Sequence, residues 1–479
     1  MNIQSILLIL AIVIAIRMIS QPAGRIWPLT IASVIFVFLL QPALPIRFMD
    51  FWLPCLTLLL VAANWLMITP RENRSARKTY LTLLIIALVV ISLAATRLIT
   101  INGWIVPNRP PLLWKVGVFL AVAAIIITLV WRFLPKSKAM SWISITFLIL
   151  IFIAIKTPAL AEIMSIGARH LVSQSTTLAD PFDWRWLGFS YIAFRIIHTL
   201  RDQFAGRFPQ VALNEYICYV LFPASLSAGP IDRIERFVVD LRQPLKIFDQ
   251  PEQYTDGFYR IILGLFKKFA LADTLGLIAL NTQHAEHTTS TLWLWVILYA
   301  YALQIYFDFS GYTDIAIGLG KILGINLPEN FNHPYRRTNL TLFWNDWHIT
   351  LTQWFRSYFY NPVTRSLRRS RIRNQKALII FMMQLSTMVL IGLWHGVTTG
   401  FLAWGVWHGL GTFIQNRYSE KVAPLWQKTE GNVWLQRIWR GANWFLTFNY
   451  IALGWVWFVM PDVQSGLQVI IRLFGGAGI

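Results

Sequence analysis

A histidine within apolar, tryptophan-rich sequence is the strongest single candidate for chemistry. His395 closes an apolar run in the segment GLWHG, and a second histidine, His348, lies in FWNDWHITLTQWF. Ionisable groups among apolar side chains are costly, and they are kept most often where they act on a substrate or an ion. A neutral imidazole in this setting can take a proton from an alcohol that attacks an activated acyl group. His395 therefore predicts acid–base chemistry on a hydroxyl group.

Polar residues also surround His348. Asn345 and Asp346 precede it directly. If this segment is one helix, Trp344 and His348 lie one turn apart on the same face, which places an aromatic wall beside a polar tip. An aromatic belt at a membrane interface, with incidental polar residues, is the alternative interpretation. We expect Asn345, Asp346 and His348 to belong to a site.

The segment YFDFSGYTD places more polar residues between two apolar runs. Asp308 and Tyr312 are one helical turn apart, and Asp314 follows. Embedded acids of this kind also form proton relays, so the segment alone does not distinguish an enzyme from a transporter. We expect Asp308 and Tyr312 to support the geometry of the site, together with Trp394 beside His395.

Other site types are not indicated by the sequence. It contains no G-x-S-x-G elbow, P-loop, G-x-G-x-x-G or H-E-x-x-H motif. His284 and His287 are three residues apart without a further ligand cluster, so we expect no metal site and no bound cofactor. Four more histidines are expected to be ordinary structural residues: His170, His198, His333 and His408. The strongest exception among them is His408, which lies in WHG.

The composition is that of a polytopic membrane protein. Of the 479 residues, 56% are hydrophobic and only 13% are charged, whereas soluble proteins contain about 25% charged residues. The net charge of +20 fits cytoplasmic loops that follow the positive-inside rule and contact anionic lipid headgroups. Because no long polar segment interleaves basic and aromatic residues, we expect no nucleic-acid partner.

Apolar runs predict the membrane helices that position these residues. Later segments are interrupted by Arg, His, Pro and Gly, with a break at Ala228-Gly229-Pro230, which is typical of broken or re-entrant helices buried against protein. Together they predict an all-α fold with roughly 11–14 membrane helices. The clearest runs cover about 3–19, 28–45, 51–69, 80–96, 112–131, 141–164, 293–306, 377–394, 398–415 and 442–460.

Loop charges predict the orientation. The segment RENRSARK and the turn with Arg132, Lys136 and Lys138 lie two spans apart, so both are expected on the cytoplasmic side of the plasma membrane. The N-terminus and the polar stretch 171–183 then lie outside. Six basic residues between Arg365 and Lys376 mark another cytoplasmic loop, and alternatively they receive the phosphates of a donor or an acidic carrier protein.

Five segments follow one another in the order FDFSGYTDIAIGLGKILGI, PENFNHPY, FWNDWHITLTQWFR, GLWHG and WGVWHG. In this combination they resemble the membrane-bound O-acyltransferase (MBOAT) family, and within it the bacterial branch that modifies alginate and teichoic acids. The resemblance implies a helical membrane fold around a central tunnel. The acyl donor, a coenzyme A ester or a carrier-bound thioester, enters from the cytoplasmic side, and the acceptor reaches the tunnel from the other face. It also implies that His395 is the general base and that His348 is a second functional histidine on the donor side.

These expectations combine into one prediction. The chain transfers an acyl group, with acetyl expected, to a hydroxyl of an envelope or secreted glycan. Its expected partners are membrane lipids and a periplasmic transfer partner or an acyl carrier protein. Lipid acylation, D-alanyl transfer of the teichoic-acid type and proton-coupled transport are the alternatives. The expected segments are a helix ladder at 1–170, the catalytic core at 184–415, and a C-terminal interfacial helix with the final membrane helices at 416–479.

Overall fold

The computed structural model describes residues 3–19, 24–74, 77–98, 107–133, 137–244, 251–427 and 432–476. Helices account for 79% of the structure, and no β-strand occurs in these ranges; Phe331 and Trp347 form an isolated bridge. The predicted all-α class is confirmed, because the long apolar runs satisfy their backbone groups within helices, as hydrocarbon requires.

Six helices within the described ranges are long and apolar enough to cross a membrane. Most of them begin and end within a few residues of the predicted runs. The chain is therefore an integral membrane protein, whereas the predicted central tunnel stays a prediction. The six are Met49–Ile68, Arg77–Leu98, Leu113–Phe133, Lys138–Lys156, Thr291–Ile322 and Lys376–His395.

The chain forms two compact units. The first contains residues 1–261 and 315–328, and the second contains 262–314 and 329–479. The predicted segments 1–170, 184–415 and 416–479 concern function and stay predictions. The helices that begin in the first unit are α1 Ile3–Ile19, α2 Ile26–Leu39, α3 Met49–Ile68, α4 Arg71–Arg74, α5 Arg77–Ala95, α6 Leu113–Phe133, α7 Lys138–Lys156, α8 Pro158–Leu171, α9 Phe189–Phe204, α10 Leu213–Val220, α11 Ile234–Arg242 and α12 Pro251–Leu265.

The second unit contains the remaining helices. Two π-helical segments, Phe266–Ala272 and Arg356–Tyr360, follow α12 and α17 directly. The helices are α13 Asp273–Gly276, α14 Thr282–His287, α15 Thr291–Ile322, α16 Leu340–Asp346, α17 Ile349–Phe355, α18 Asn361–Leu367, α19 Lys376–His395, α20 Thr399–Gln427, α21 Val433–Val459 and α22 Val463–Leu473; the last residues of α15 belong to the first unit.

Two predicted elements differ from the observed helices. The run 141–164 was expected to be one span, but α7 ends at Lys156 and α8 begins at Pro158, because proline fits the first position of a helix and disfavours helical backbone before it. The interfacial helix predicted around 426–440 is not a separate element in the described ranges. The Asn432 side chain accepts from Leu435 N and starts α21, which continues to Val459.

Two predicted features of the first unit can be compared with the structure. The chain breaks at the Ala228-Gly229-Pro230 segment as expected, with irregular backbone between α10 and α11 and a positive φ of 98° at Gly229. The predicted orientation places Arg25 on the cytoplasmic side, which stays a prediction, and the structure shows that its side chain is buried. Its guanidinium donates to the carbonyls of Leu241 and Gln243 at 3.1 and 2.9 Å, which satisfies the C-terminal end of α11.

In the second unit, close helix contacts position the histidine segments. A side chain at Gly392 would place its Cβ 2.3 Å from the carbonyl oxygen of Phe401. Only glycine therefore allows α19 and α20 to approach so closely at this point. His395 is the last residue of α19, three residues beyond this contact.

Candidate active site

His348 lies between two short helices and not within one. The predicted continuous helix through Trp344 and His348 is wrong: α16 ends at Asp346, and His348 has left-handed backbone with φ 45° and ψ 54° before α17 begins. The backbone pairs with another segment at this point. Asn332 N donates to the Asp346 carbonyl at 3.1 Å, and Ile349 N donates to the Asn330 carbonyl at 3.0 Å.

The side chain of Asn330 determines which nitrogen of His348 carries the proton. Asn330 Oδ1 accepts from the backbone N–H of Thr350 at 3.2 Å and from its hydroxyl at 2.9 Å. A backbone N–H can only donate, so the amide oxygen is the atom on this side. His348 Nδ1, 3.1 Å from the same oxygen, is therefore the protonated nitrogen.

The other ring nitrogen of His348 then carries a lone pair. Nε2 is buried, and it has no hydrogen-bond partner within the described part of the chain. Burial lowers the pKa of His348 well below its ordinary value, with a smaller contribution in the same direction from His395. His348 is accordingly a neutral hydrogen-bond acceptor.

Both histidines line one cavity. Its volume is about 50 Å³, enough for a few water molecules. The Trp394 ring lies beside both, with ring centroids 6.1 Å from His348 and 4.5 Å from His395. The cavity therefore brings two imidazoles to one partly enclosed, largely aromatic surface. The other lining residues are Ile305, Phe309, Trp344, Trp347, Leu351, Thr352, Ile391, Trp404, Trp455 and Phe458.

All five predicted supporting residues lie outside the cavity lining, including Trp394, whose ring is close to both histidines. Asp308 pairs with Lys268, and Tyr312 is buried on α15. Asn345 accepts from the Arg356 guanidinium at 2.7 Å. Asp346 forms an ion pair with Arg337 at 2.6 Å. Their predicted support of the site stays a prediction.

The positions of two further residues relative to the cavity follow from the structure and not from the sequence. Asn330 received no role from the sequence, although a polar residue inside the segment PENFNHPY was a signal. His408, the expected exception among the structural histidines, is fully buried behind the wall formed by Trp344 and Trp404, at ring-centroid distances of 4.9 and 4.8 Å. It does not line the cavity.

Comparison with known proteins identifies related chains. The model of the membrane-bound O-acyltransferase family matches residues 197–460. A probable alginate O-acetylase AlgI from Pseudomonas aeruginosa is 32% identical over 290 residues, which is 60% of this chain and 51% of the relative. The peptidoglycan O-acetyltransferase of Helicobacter pylori is 31% identical over 265 residues, 55% of this chain and 47% of the relative.

A third relative is named for a different activity. The teichoic acid D-alanyltransferase of Streptococcus thermophilus is 28% identical over 288 residues, covering 57% of this chain and 68% of the relative. The chain thus spans about half the length of the alginate and peptidoglycan relatives that it matches. The matched region contains both cavity histidines.

Proposed function

Since the chain belongs to the membrane-bound O-acyltransferase family, we propose that it moves an acyl group, with acetyl expected, from a thioester donor to a hydroxyl of an envelope or secreted polysaccharide. The observation that carries this proposal is the pair of histidines on one buried, aromatic cavity. The alginate and peptidoglycan relatives support acetyl as the group and a glycan as the acceptor. A plasma (inner) membrane location follows from the same proposal.

In this mechanism His395 is the general base. Its imidazole removes the proton of the acceptor hydroxyl while the oxygen attacks the carbonyl carbon of the thioester. The carbon–sulfur bond then breaks, and the imidazolium returns the proton to the departing thiolate. The products are the ester and the thiol, with no net change in protons. The apolar, aromatic lining of the cavity limits access of water, which would otherwise hydrolyse the donor.

His348 is proposed to position the donor. With Nδ1–H held by Asn330, Nε2 accepts a hydrogen bond and has no proton to offer to the thioester carbonyl. This nitrogen is therefore better suited to accept a hydrogen bond from an amide N–H of the thioester substrate than to polarise the thioester carbonyl. The two histidines then have different roles, one binding the donor and the other activating the acceptor.

The basic segment Arg365–Lys376 is the proposed contact for the rest of the donor. Its six basic side chains are exposed, and they have no acidic partner within the described ranges. Coenzyme A esters and carrier-bound thioesters both contain phosphate, which arginine binds well. The segment is therefore proposed to bind the phosphate of either acyl donor. The proposal is also compatible with an acyl carrier protein or a periplasmic transfer partner.

The second candidate is D-alanyl transfer to a teichoic-acid-type acceptor. It is favoured by the relative that is named for this activity. The reaction is the same attack of a hydroxyl on a thioester, so the cavity serves both candidates. The transferred group itself distinguishes them, because mild alkali releases acetate from one product and D-alanine from the other.

The test replaces His395 by alanine. Cells that lack the gene are complemented with the wild-type chain or with His395→Ala, and acetate and D-alanine released by mild alkali are measured in the polysaccharide and lipid fractions. Loss of a general base lowers the rate by about 10²–10⁴-fold, so the ester content should fall to the level of the deletion strain at unchanged protein abundance.

A matched variant controls for the loss of a histidine. His333 lies outside the cavity lining and is exposed, so His333→Ala should retain the wild-type ester content. Wild-type ester levels in His395→Ala would overturn the proposed mechanism. Ester in the lipid fraction alone would overturn the polysaccharide acceptor.

A further inference from the structure

Three side chains with metal-binding chemistry lie together in the first unit. His198 and Asp202 are one turn apart on the same face of α9, and Glu235 lies in the first turn of α11. One ligand atom from each lies within 4.8 Å of the other two. A metal ion at ~2.1 Å from each ligand would bring them to ~3.4 Å of one another, which requires only small side-chain rotations.

The broken segment between α10 and α11 makes this meeting possible. The chain leaves α10 at Val220, turns at Gly229, where φ is 98°, and enters α11 at Ile234. Glu235 is therefore placed by a turn that the sequence predicts. The two ligands on α9 are fixed by the i, i+4 spacing of a helix.

The tautomer of His198 suits metal binding. The Tyr219 hydroxyl donates to the backbone carbonyl of Asp232 at 2.8 Å. It has one proton, so it accepts from His198 Nδ1 at 3.1 Å. The lone pair of neutral His198 is then on Nε2, 3.7 Å from Asp202 Oδ2. Metal-binding histidines usually donate their other N–H in this way.

The two carboxylates of the cluster favour a cation, and the positive charges of Arg207 and Arg233 nearby oppose it. Asp202 Oδ1 pairs with Arg207 at 2.9 Å, and Asp202 Oδ2 lies on the side of His198. Glu235 Oε2 is shielded from solvent, and it has no hydrogen-bond partner within the described residues. A lone pair and two carboxylates facing one point are stabilised by a positive ion.

We propose that His198, Asp202 and Glu235 bind a divalent first-row transition metal ion, such as Zn²⁺. A mixed nitrogen and oxygen set suits these ions, whereas Mg²⁺ and Ca²⁺ prefer oxygen ligands alone. The ion would connect α9 to α11 and so hold the broken segment 221–233 in place. This assignment replaces the sequence-based expectation that the chain has no metal site, and it is independent of the acyl transfer proposed for the second unit.

The test measures binding of Co²⁺ as a spectroscopic probe. Full-length protein in detergent is stripped with EDTA and titrated with Co²⁺, in a background of His284→Ala and His287→Ala that removes the separate histidine pair of α14. We expect one Co²⁺ per chain, with visible d–d absorption that Zn²⁺ displaces. Glu235→Gln keeps the shape and removes the charge, and it should weaken binding at least about 10-fold.

Two further variants make the result decisive. Glu162→Gln is the same chemical change at an exposed position on α8, and it should bind as tightly as the background protein. Tyr219→Phe removes the acceptor of Nδ1–H and should weaken binding about 10-fold, which tests the site independently if Glu235→Gln folds poorly. Equal affinity of all these variants, or no Co²⁺ binding by the background protein, would overturn the proposal.

Discussion

Asn330 gives His348 its chemical character. His348 has left-handed backbone, a conformation that costs about 1–2 kcal/mol for a residue with a β-carbon. The contacts with Asn330 and with the backbone of its segment offset this cost. Both the direction of the ring and its tautomer therefore depend on a single buried amide.

We predict that Asn330→Ala reduces activity without preventing membrane insertion. The substitution removes the acceptor of His348 Nδ1–H and of the Thr350 hydroxyl, and it should lower the free energy of unfolding by about 1–3 kcal/mol. Because the tautomer is then no longer fixed, acyl transfer should fall about 10–100-fold, as for lost orienting partners elsewhere. Ester release and thermal unfolding in detergent measure the two effects.

Asn330→Asp tests whether the orientation of the His348 ring affects activity separately from the packing around residue 330. A carboxylate still accepts from both donors, so this variant should be more active than Asn330→Ala even if it is equally unstable. The exposed Asn374 provides the control, since Asn374→Ala should be indistinguishable from wild type. Equal loss of activity in both Asn330 variants would show that the tautomer of His348 does not matter.

At the residue level, chemical type was the signal that singled out the two histidines, and their catalytic roles stay predictions. His348 and His395 stand out as ionisable residues within apolar sequence, and the structure brings both to one cavity. Asn330 and Glu235 could not be assigned in this way. Their roles depend on contacts made across irregular backbone, which no periodic pattern records.

At the scale of elements, hydropathy predicted the long helices and missed the local breaks. The expected runs 51–69 and 377–394 differ by two residues or fewer from α3 and α19 at each end. Between α16 and α17 the helical pattern continues, but backbone pairing with residues 330–332 interrupts the helix. Tertiary contacts overrode a local preference there.

Close packing of α15 against the end of α12 predicts a sensitive glycine. A Cβ on Gly311 would lie 2.8 Å from the Gly264 carbonyl oxygen and 2.9 Å from Lys268 N, both of which are backbone atoms. Gly311→Ala therefore requires the helices to separate, and we expect it to cost about 1–3 kcal/mol of stability. Separation would also disturb the ion pair between Lys267 and Asp314, now 2.6 Å long.

Gly441→Ala is the matched control on α21. Nothing lies within 4 Å of a Cβ at Gly441, and alanine favours helix over glycine by about 1 kcal/mol. The control should therefore be neutral or slightly stabilising. Thermal unfolding of both variants in one detergent measures the difference, and a Gly311→Ala protein as stable as Gly441→Ala would contradict the packing argument.

At the scale of the whole molecule, charge predicts how the helices are oriented. Basic residues in RENRSARK, in the turn with Arg132, Lys136 and Lys138, and in the segment Arg365–Lys376 mark the loops that the positive-inside rule assigns to the cytoplasm. In the first unit, α7 has 19 residues and a length of about 28 Å, close to the ~30 Å hydrocarbon core. The break at Pro158 means that α7 alone must make this crossing. On α8, which follows the break, the Arg169 side chain forms an ion pair with Asp183 at 2.8 Å.

This arrangement predicts opposite labelling of two introduced cysteines. Ala139→Cys, at the start of α7 beside the basic turn, should react with a membrane-impermeant maleimide only after spheroplasts are permeabilised. Thr176→Cys, in the polar stretch after α8, should react in intact spheroplasts. Both positions are exposed, whereas the native Cys55 and Cys218 are 2% and 0% exposed, so the unsubstituted protein should give little background. Labelling of Ala139→Cys in intact spheroplasts would reverse the orientation, and the cytoplasmic entry of the donor would have to be reversed with it.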